Sequence, residues 1–121
     1  EEDSTISIKL VESYWKKPEK KMLPSLYINM CGTYIAANKF SPIFDEIIEE
    51  VKNTLKYDIT IYGPVMLENL ASYYAMKDDK ENTLKYLSLA KENGHETFDT
   101  LKDIAVFANY KSDKDFKALF T

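Results

Sequence analysis

The sequence lacks arginine altogether and contains only one cysteine and one histidine in 121 residues. All 16 basic side chains are therefore lysines, set against 20 acidic ones for a formal net charge of −4. Nucleic-acid recognition usually relies on bidentate arginine contacts and a net positive face, so this composition argues against a nucleic-acid partner. A lone cysteine excludes an internal disulfide and a cysteine-based metal cage, and a lone histidine excludes a histidine cluster.

Long hydrophobic runs are also missing. No apolar stretch approaches the ~20 residues that a membrane-spanning helix needs, so we expect a soluble chain with no membrane span. The length and the hydrophobic fraction of 45% are typical of one globular domain. The chain begins at Glu1 rather than Met, which leaves two alternatives, a processed (for instance exported) protein or a piece of a longer one, and the compartment stays open.

Glycine and proline are few, and they mark turns at Gly63-Pro64 and Asn93-Gly94. Between such marks apolar residues recur every three or four positions, which predicts about six or seven helices. Ser41-Pro42 is a typical helix start, with a serine cap followed by proline. The predicted helices cover residues 5–17, 23–37, 96–107 and 113–120, and three more lie after Ser41-Pro42, after Gly63-Pro64 and between Asp78-Asp79 and Asn93-Gly94. Residues 6–10 also alternate, so a short strand there is a minor alternative, and residues 57–62 are predicted to be an extended connector.

Two of the predicted helices repeat one pattern at a spacing of 40 residues, since residues 27–34 align with residues 67–74. The pattern resembles the first helix of the tetratricopeptide repeat, whose signature is W-x2-L-G-x2-Y. The matching positions are Tyr27, Met30, Cys31 and Tyr34 in the first copy and Leu67, Leu70, Ala71 and Tyr74 in the second. Residues 101–119 are similar to the tail that often follows the last such repeat.

The resemblance implies an all-α fold, a right-handed stack of antiparallel helical hairpins with capping helices at both ends. We expect a single domain over residues 1–121. It would comprise an N-terminal capping helix (1–20), repeat one (22–57), repeat two (63–94) and C-terminal capping helices (95–121).

The resemblance also implies a concave groove lined by the first helix of each repeat, where another protein or a peptide segment would bind. The expected groove residues are Ile28, Asn29, Gly32, Ile35, Glu68, Asn69, Ser72 and Met76. Asn29 and Asn69 occupy equivalent positions, and a carboxamide can both donate to and accept from a peptide backbone. Because this face lacks lysine and carries Glu68, a clamp for a terminal carboxylate is not expected.

No constellation of residues indicates chemistry. Cys31 is expected to be a core residue and His95 to lie in a surface turn. The acidic residues 45, 46, 49 and 50 are expected to form a solvated helix face rather than a metal site. We therefore predict a non-catalytic adaptor module with no cofactor, no metal and no catalytic residue, and an undetermined oligomeric state. The alternatives are a structural cap or spacer of a larger chain and, less favoured, a small enzyme with an unrecognised site.

Overall fold

The structure, a computed structural model, describes residues 2–20, 22–57 and 62–121, with the backbone alone for residues 2–6. These residues form six α-helices and two 3-10 helices, and the described ranges contain no strand. The helices are α1 (Glu2–Trp15), α2 (Pro24–Ala37), α3 (Pro42–Tyr57), α4 (Gly63–Met76), α5 (Lys80–Glu92), the 3-10 helices Phe98–Asp103 and Ala105–Tyr110, and α6 (Lys114–Ala118). The predicted all-α class is confirmed. The alternative strand at residues 6–10 is wrong because α1 covers them, and the predicted connector falls largely outside the described residues.

The chain divides into two compact units, Glu1–Ile59 and Thr60–Thr121. In the first unit, α2 packs against both α1 and α3. In the second unit, α4 packs extensively against α5, and the second 3-10 helix contacts both α4 and the first 3-10 helix. Packed helix pairs of this kind are compatible with a helical repeat fold. The predicted single domain and its internal boundaries stay predictions.

The helices α2 and α4 are built alike, as the repeated pattern predicts. Each has 14 residues and carries a proline in its first turn, Pro24 and Pro64 respectively. Proline suits this position because the first backbone N–H groups of a helix have no partner within it.

The two helices also end alike. Asn38 follows α2 and Asp78 follows α4, and both have a left-handed backbone, with φ of 53° and 58°. The next backbone N–H in each case donates to the carbonyl of the tyrosine that ends the repeated pattern, Tyr34 or Tyr74, at 3.1 and 3.0 Å. This is the Schellman arrangement, in which a residue with positive φ turns the chain back on the last helical turn. The repeat in sequence is therefore also a repeat in backbone geometry.

The predicted caps of the following helices are confirmed. Ser41 Oγ accepts the backbone N–H of Phe44 at 3.1 Å at the start of α3. Asp79 Oδ1 accepts the N–H of Asn82 at 3.1 Å at the start of α5. The turn at Gly94, with φ of 79°, ends α5 as expected. Each of these residues satisfies helix-end groups that would otherwise lack partners.

A chain of hydrogen bonds joins the three helices of the first unit. Ser41 Oγ, besides capping α3, donates to the Tyr34 hydroxyl at 3.1 Å, and that hydroxyl donates to Glu12 Oε2 on α1 at 3.1 Å. The Tyr34 ring is fully buried and stacks on Phe44 with 4.7 Å between ring centroids. Burial, with a smaller contribution from the nearby Glu12 carboxylate, raises the pKa of the Tyr34 hydroxyl. The hydroxyl therefore keeps its proton and remains a donor to Glu12.

The C-terminal segment differs from the prediction of one helix over residues 96–107. It forms two 3-10 helices separated by the extended residue Ile104, whose φ and ψ are −77° and 136°. The apolar residues recur at every third position, at Phe98, Leu101, Ile104, Phe107 and Tyr110. A strict three-residue spacing places side chains on one face of a 3-10 helix, which has three residues per turn. The spacing, more than the hydrophobicity alone, explains why an α-helix does not form here.

Cys31 offers a direct test of the packing in the first unit. Its side chain is fully buried, and burial raises the pKa of the thiol to about 12. Because the thiolate is the reactive form, we expect the native protein to resist a thiol reagent such as dithionitrobenzoate. Reaction should accelerate only as denaturant unfolds the chain.

The same thiol makes stability depend on pH. The unfolded thiol loses its proton at a lower pH than the native one, so the free energy of unfolding should fall as the pH rises from about 9 to 12.

The matched control moves the thiol by one residue. A variant carrying both Cys31→Ala and Gly32→Cys places it at an exposed helix position, and it should react in the native state at the rate of a free thiol. Rapid stoichiometric labelling of the native wild-type protein would contradict the buried position of Cys31.

Candidate functional site

The helix α2 has an exposed face without any charged side chain. None of the 14 residues from Pro24 to Ala37 is acidic or basic. The core side of α2 consists of Tyr27, Met30, Cys31 and Tyr34, all buried. On the other side Asn29, Gly32 and Ala36 are exposed, and Ile28 and Ile35 are partly buried. We call these five residues the uncharged α2 face.

Two residues leave this face accessible to a partner. Apart from its chain neighbours and the backbone of its own helix, a Cβ atom added at Gly32 would meet no heavy atom within 4 Å, so the space beside the glycine is open. The Asn29 side chain is exposed, and its carboxamide has no hydrogen-bond partner among the described residues. Its backbone carbonyl accepts the Thr33 hydroxyl at 3.1 Å. The carboxamide can therefore pair with a partner without disturbing α2.

The predicted groove residues of α4 are placed differently. Asn69 and Ser72 are buried, with 7% and 3% of their surface exposed, whereas Glu68 and Met76 are partly exposed. The Asn69 Nδ2 atom is buried and has no acceptor among the described residues. Residues 29 and 69 thus differ in solvent exposure, although they occupy equivalent positions in the repeated sequence pattern. The ligand-binding role of all eight groove residues stays a prediction.

His95 is buried, and the prediction of a surface-turn side chain is wrong for it. Its imidazole is 5% exposed, and Nε2 lies 2.7 Å from Glu68 Oε1 on α4. The backbone N–H of Thr97 donates to Nδ1 at 3.3 Å, which assigns the proton of the neutral ring to Nε2. The Schellman turn at Gly94 reverses the chain after α5 and brings His95 against α4. Sequence reasoning missed the pair because Glu68 lies 27 residues away.

A cavity of about 380 Å³ lies beside this pair. It is lined by Pro64, Val65, Asn93, Gly94, His95, Glu96 and Thr97. Both ring nitrogens of His95 are engaged by Glu68 and Thr97, so the imidazole presents no free lone pair to the cavity. The geometry is that of a structural connection between α4 and the turn after α5.

The acidic residues of α3 lie on an exposed face, as predicted. Within this set Glu46 accepts the Trp15 indole N–H at 3.1 Å, and Glu49 pairs with Lys52 at 3.4 Å. Across the described part of the chain, no three histidine, cysteine or acidic side chains are grouped closely enough to hold a metal ion. In the same residues, no helix combines the length and apolar character required to cross a bilayer.

Comparison with known proteins adds no relative: no family model, no curated protein and no solved structure matches this chain. The fold alone therefore defines the class of this molecule, which is an all-α protein of packed helix pairs.

The connection between His95 and Glu68 predicts a stability effect. Replacing His95 with alanine leaves Glu68 without its partner, and we expect a loss of about 1–3 kcal/mol in the free energy of unfolding. Urea denaturation followed by circular dichroism measures it. The matched control is Glu68→Gln, because the amide oxygen still accepts from Nε2–H and most of the stability should remain. A His95→Ala protein as stable as the wild type would show that the pair does not hold the turn.

Proposed function

We propose that this protein is a non-catalytic module that binds another protein or a peptide segment, and that the partner docks on the uncharged α2 face. The observation that carries the proposal is the exposed, charge-free surface of α2 in a chain where 30% of all residues are charged. A solvent-facing helix surface in such a chain would ordinarily carry lysine and glutamate. Its absence of charge favours a surface that is covered when a partner binds.

The composition of the face suits protein recognition. The centres of protein interfaces are depleted in charged residues and retain a few polar groups that fix orientation. Ile28 and Ile35 provide apolar contact area, and Asn29 provides one donor and one acceptor group between them. Gly32 leaves open space at the centre of the face, because an added Cβ atom would meet no neighbouring group within 4 Å. The face therefore combines apolar contact with a polar group able to hold an extended segment.

The tetratricopeptide-like superhelix belongs to this proposal as well. The equal lengths, proline starts and Schellman ends of α2 and α4 support a repeated hairpin unit. In such a stack the first helices of successive repeats line the binding surface.

Substitutions at Gly32 test the proposal because the site is open. Gly32→Lys places a charge in the centre of the face without a steric clash, and we expect partner binding to fall at least about tenfold, since the charge loses hydration on docking. Gly32→Ala should bind with nearly wild-type affinity. Alanine should also stabilise the fold by about 0.5–1 kcal/mol, because glycine is unfavourable inside a helix.

The measurement is quantitative affinity capture from extracts of the source cells, followed by titration of each captured protein with the purified variants. Ser13→Lys, at an exposed position of α1, controls for the added charge alone. A partner lost with Gly32→Lys but retained with Gly32→Ala and Ser13→Lys supports docking on α2. If Gly32→Lys captures the same proteins as the wild type, binding occurs elsewhere on the molecule. If no protein is captured at all, a spacer role is favoured.

A further inference from the structure

A second cavity lies in the C-terminal part of the second unit and is unrelated to the α2 face. It measures about 330 Å³, and six residues line it: Lys102, Asp103, Lys111, Phe116, Lys117 and Phe120. We call it the C-terminal pocket. The lining comes from the end of the first 3-10 helix, the residue after the second, and α6 with the residues that follow it. The pocket is thus a product of the irregular helices that end the chain.

The base of the C-terminal pocket is aromatic. Phe116 is 1% exposed and lies at the bottom, and its ring centroid is 5.0 Å from that of the partly exposed Phe120. Phe120 in turn stacks on Phe98 with 4.8 Å between centroids. These packed rings hold the base in one arrangement before any ligand arrives, which lowers the entropic cost of binding.

The rim of the pocket is positively charged. It carries three lysines and one aspartate in a protein whose formal net charge is −4. Asp103 is already engaged, since its Oδ1 lies 3.5 Å from Lys111 Nζ. Lys102 and Lys117 have no ion-pair partner among the described residues. Two lysines without partners beside an aromatic base are complementary to a molecule that joins an anionic group to an apolar ring.

We propose that the C-terminal pocket binds a small aromatic monocarboxylate. The ring of the ligand lies against Phe116 and Phe120, and the carboxylate faces Lys102 and Lys117. The volume limits the ligand to roughly ten non-hydrogen atoms, taking about 30 Å³ for each as for a water molecule. A ligand of this size with ordinary efficiency binds with a dissociation constant on the order of 1 mM. This site does not depend on the proposed partner binding at α2.

The probe for the test is hydrocinnamate, a phenyl ring on a short chain that ends in a carboxylate, titrated into the ¹⁵N-labelled chain of 121 residues. Backbone amide signals of the segments that line the pocket should shift and saturate near 1 mM. Hydrocinnamide, the neutral amide of the same shape, should bind at least about fivefold more weakly because it lacks the charge that faces the lysines. Raising the salt concentration should weaken hydrocinnamate binding and leave hydrocinnamide unaffected.

Lysine variants test whether the charges at the rim of the pocket contribute to the affinity for the carboxylate. The double variant Lys102→Gln with Lys117→Gln should raise the dissociation constant about fivefold, and both side chains are exposed, so the fold is retained. The matched control is Lys9→Gln with Lys114→Gln, which changes the net charge equally at exposed positions outside the pocket. It should change affinity by less than about twofold. Absence of a saturable shift, equal binding of acid and amide, shifts confined to other segments, or equal effects of the two double variants would each overturn the proposal.

Discussion

The buried hydroxyl of Tyr34 is the point at which the first unit is held together. It accepts a hydrogen bond from Ser41, which also caps α3, and donates one to Glu12 on α1. A polar group buried in this way is stabilising only when each of its partners is in place, so the bonds set the relative positions of three helices. The ring of Tyr34 on Phe44 excludes water from the same contact. This one side chain therefore links α2 to both α1 and α3.

The second unit depends instead on long-range ties between α4, α5 and the irregular C-terminal segment. His95 connects the turn after α5 to Glu68 on α4, and Lys80 at the start of α5 lies 2.7 Å from Asp113. The Lys80 ammonium, through its hydrogen bond, holds the pKa of Asp113 below its usual value. Asp113 also caps α6, so one aspartate joins the two helices. These ties order the phenylalanine cluster that forms the base of the C-terminal pocket.

Four of the residues proposed to bind, Asn29, Gly32, Lys102 and Lys117, contribute little to the fold. The space beside Gly32 is open, and the Asn29 carboxamide has no hydrogen-bond partner among the described residues. Lys102 and Lys117 are likewise exposed and without ion-pair partners in the described chain. Because folding does not require these residue types, the need to bind a ligand can determine which residues occur at these positions. For this reason substitutions at these positions separate binding from stability, whereas changes at Tyr34 or Phe116 would not.

The sequence by itself determined the first five helices, the caps of α3 and α5, and the repeat. Periodic apolar residues, Ser41-Pro42, Asp79 and Asn93-Gly94 are local signals, and local backbone energetics decide them before any distant contact forms. The tertiary structure decided what sequence spacing does not encode. The equivalent residues Asn29 and Asn69 differ in exposure, and the His95 side chain is buried against a glutamate 27 positions away. The C-terminal pocket likewise exists only because three irregular segments meet. Burial and long-range pairing depend on which surfaces come together, and one-dimensional periodicity does not specify those contacts.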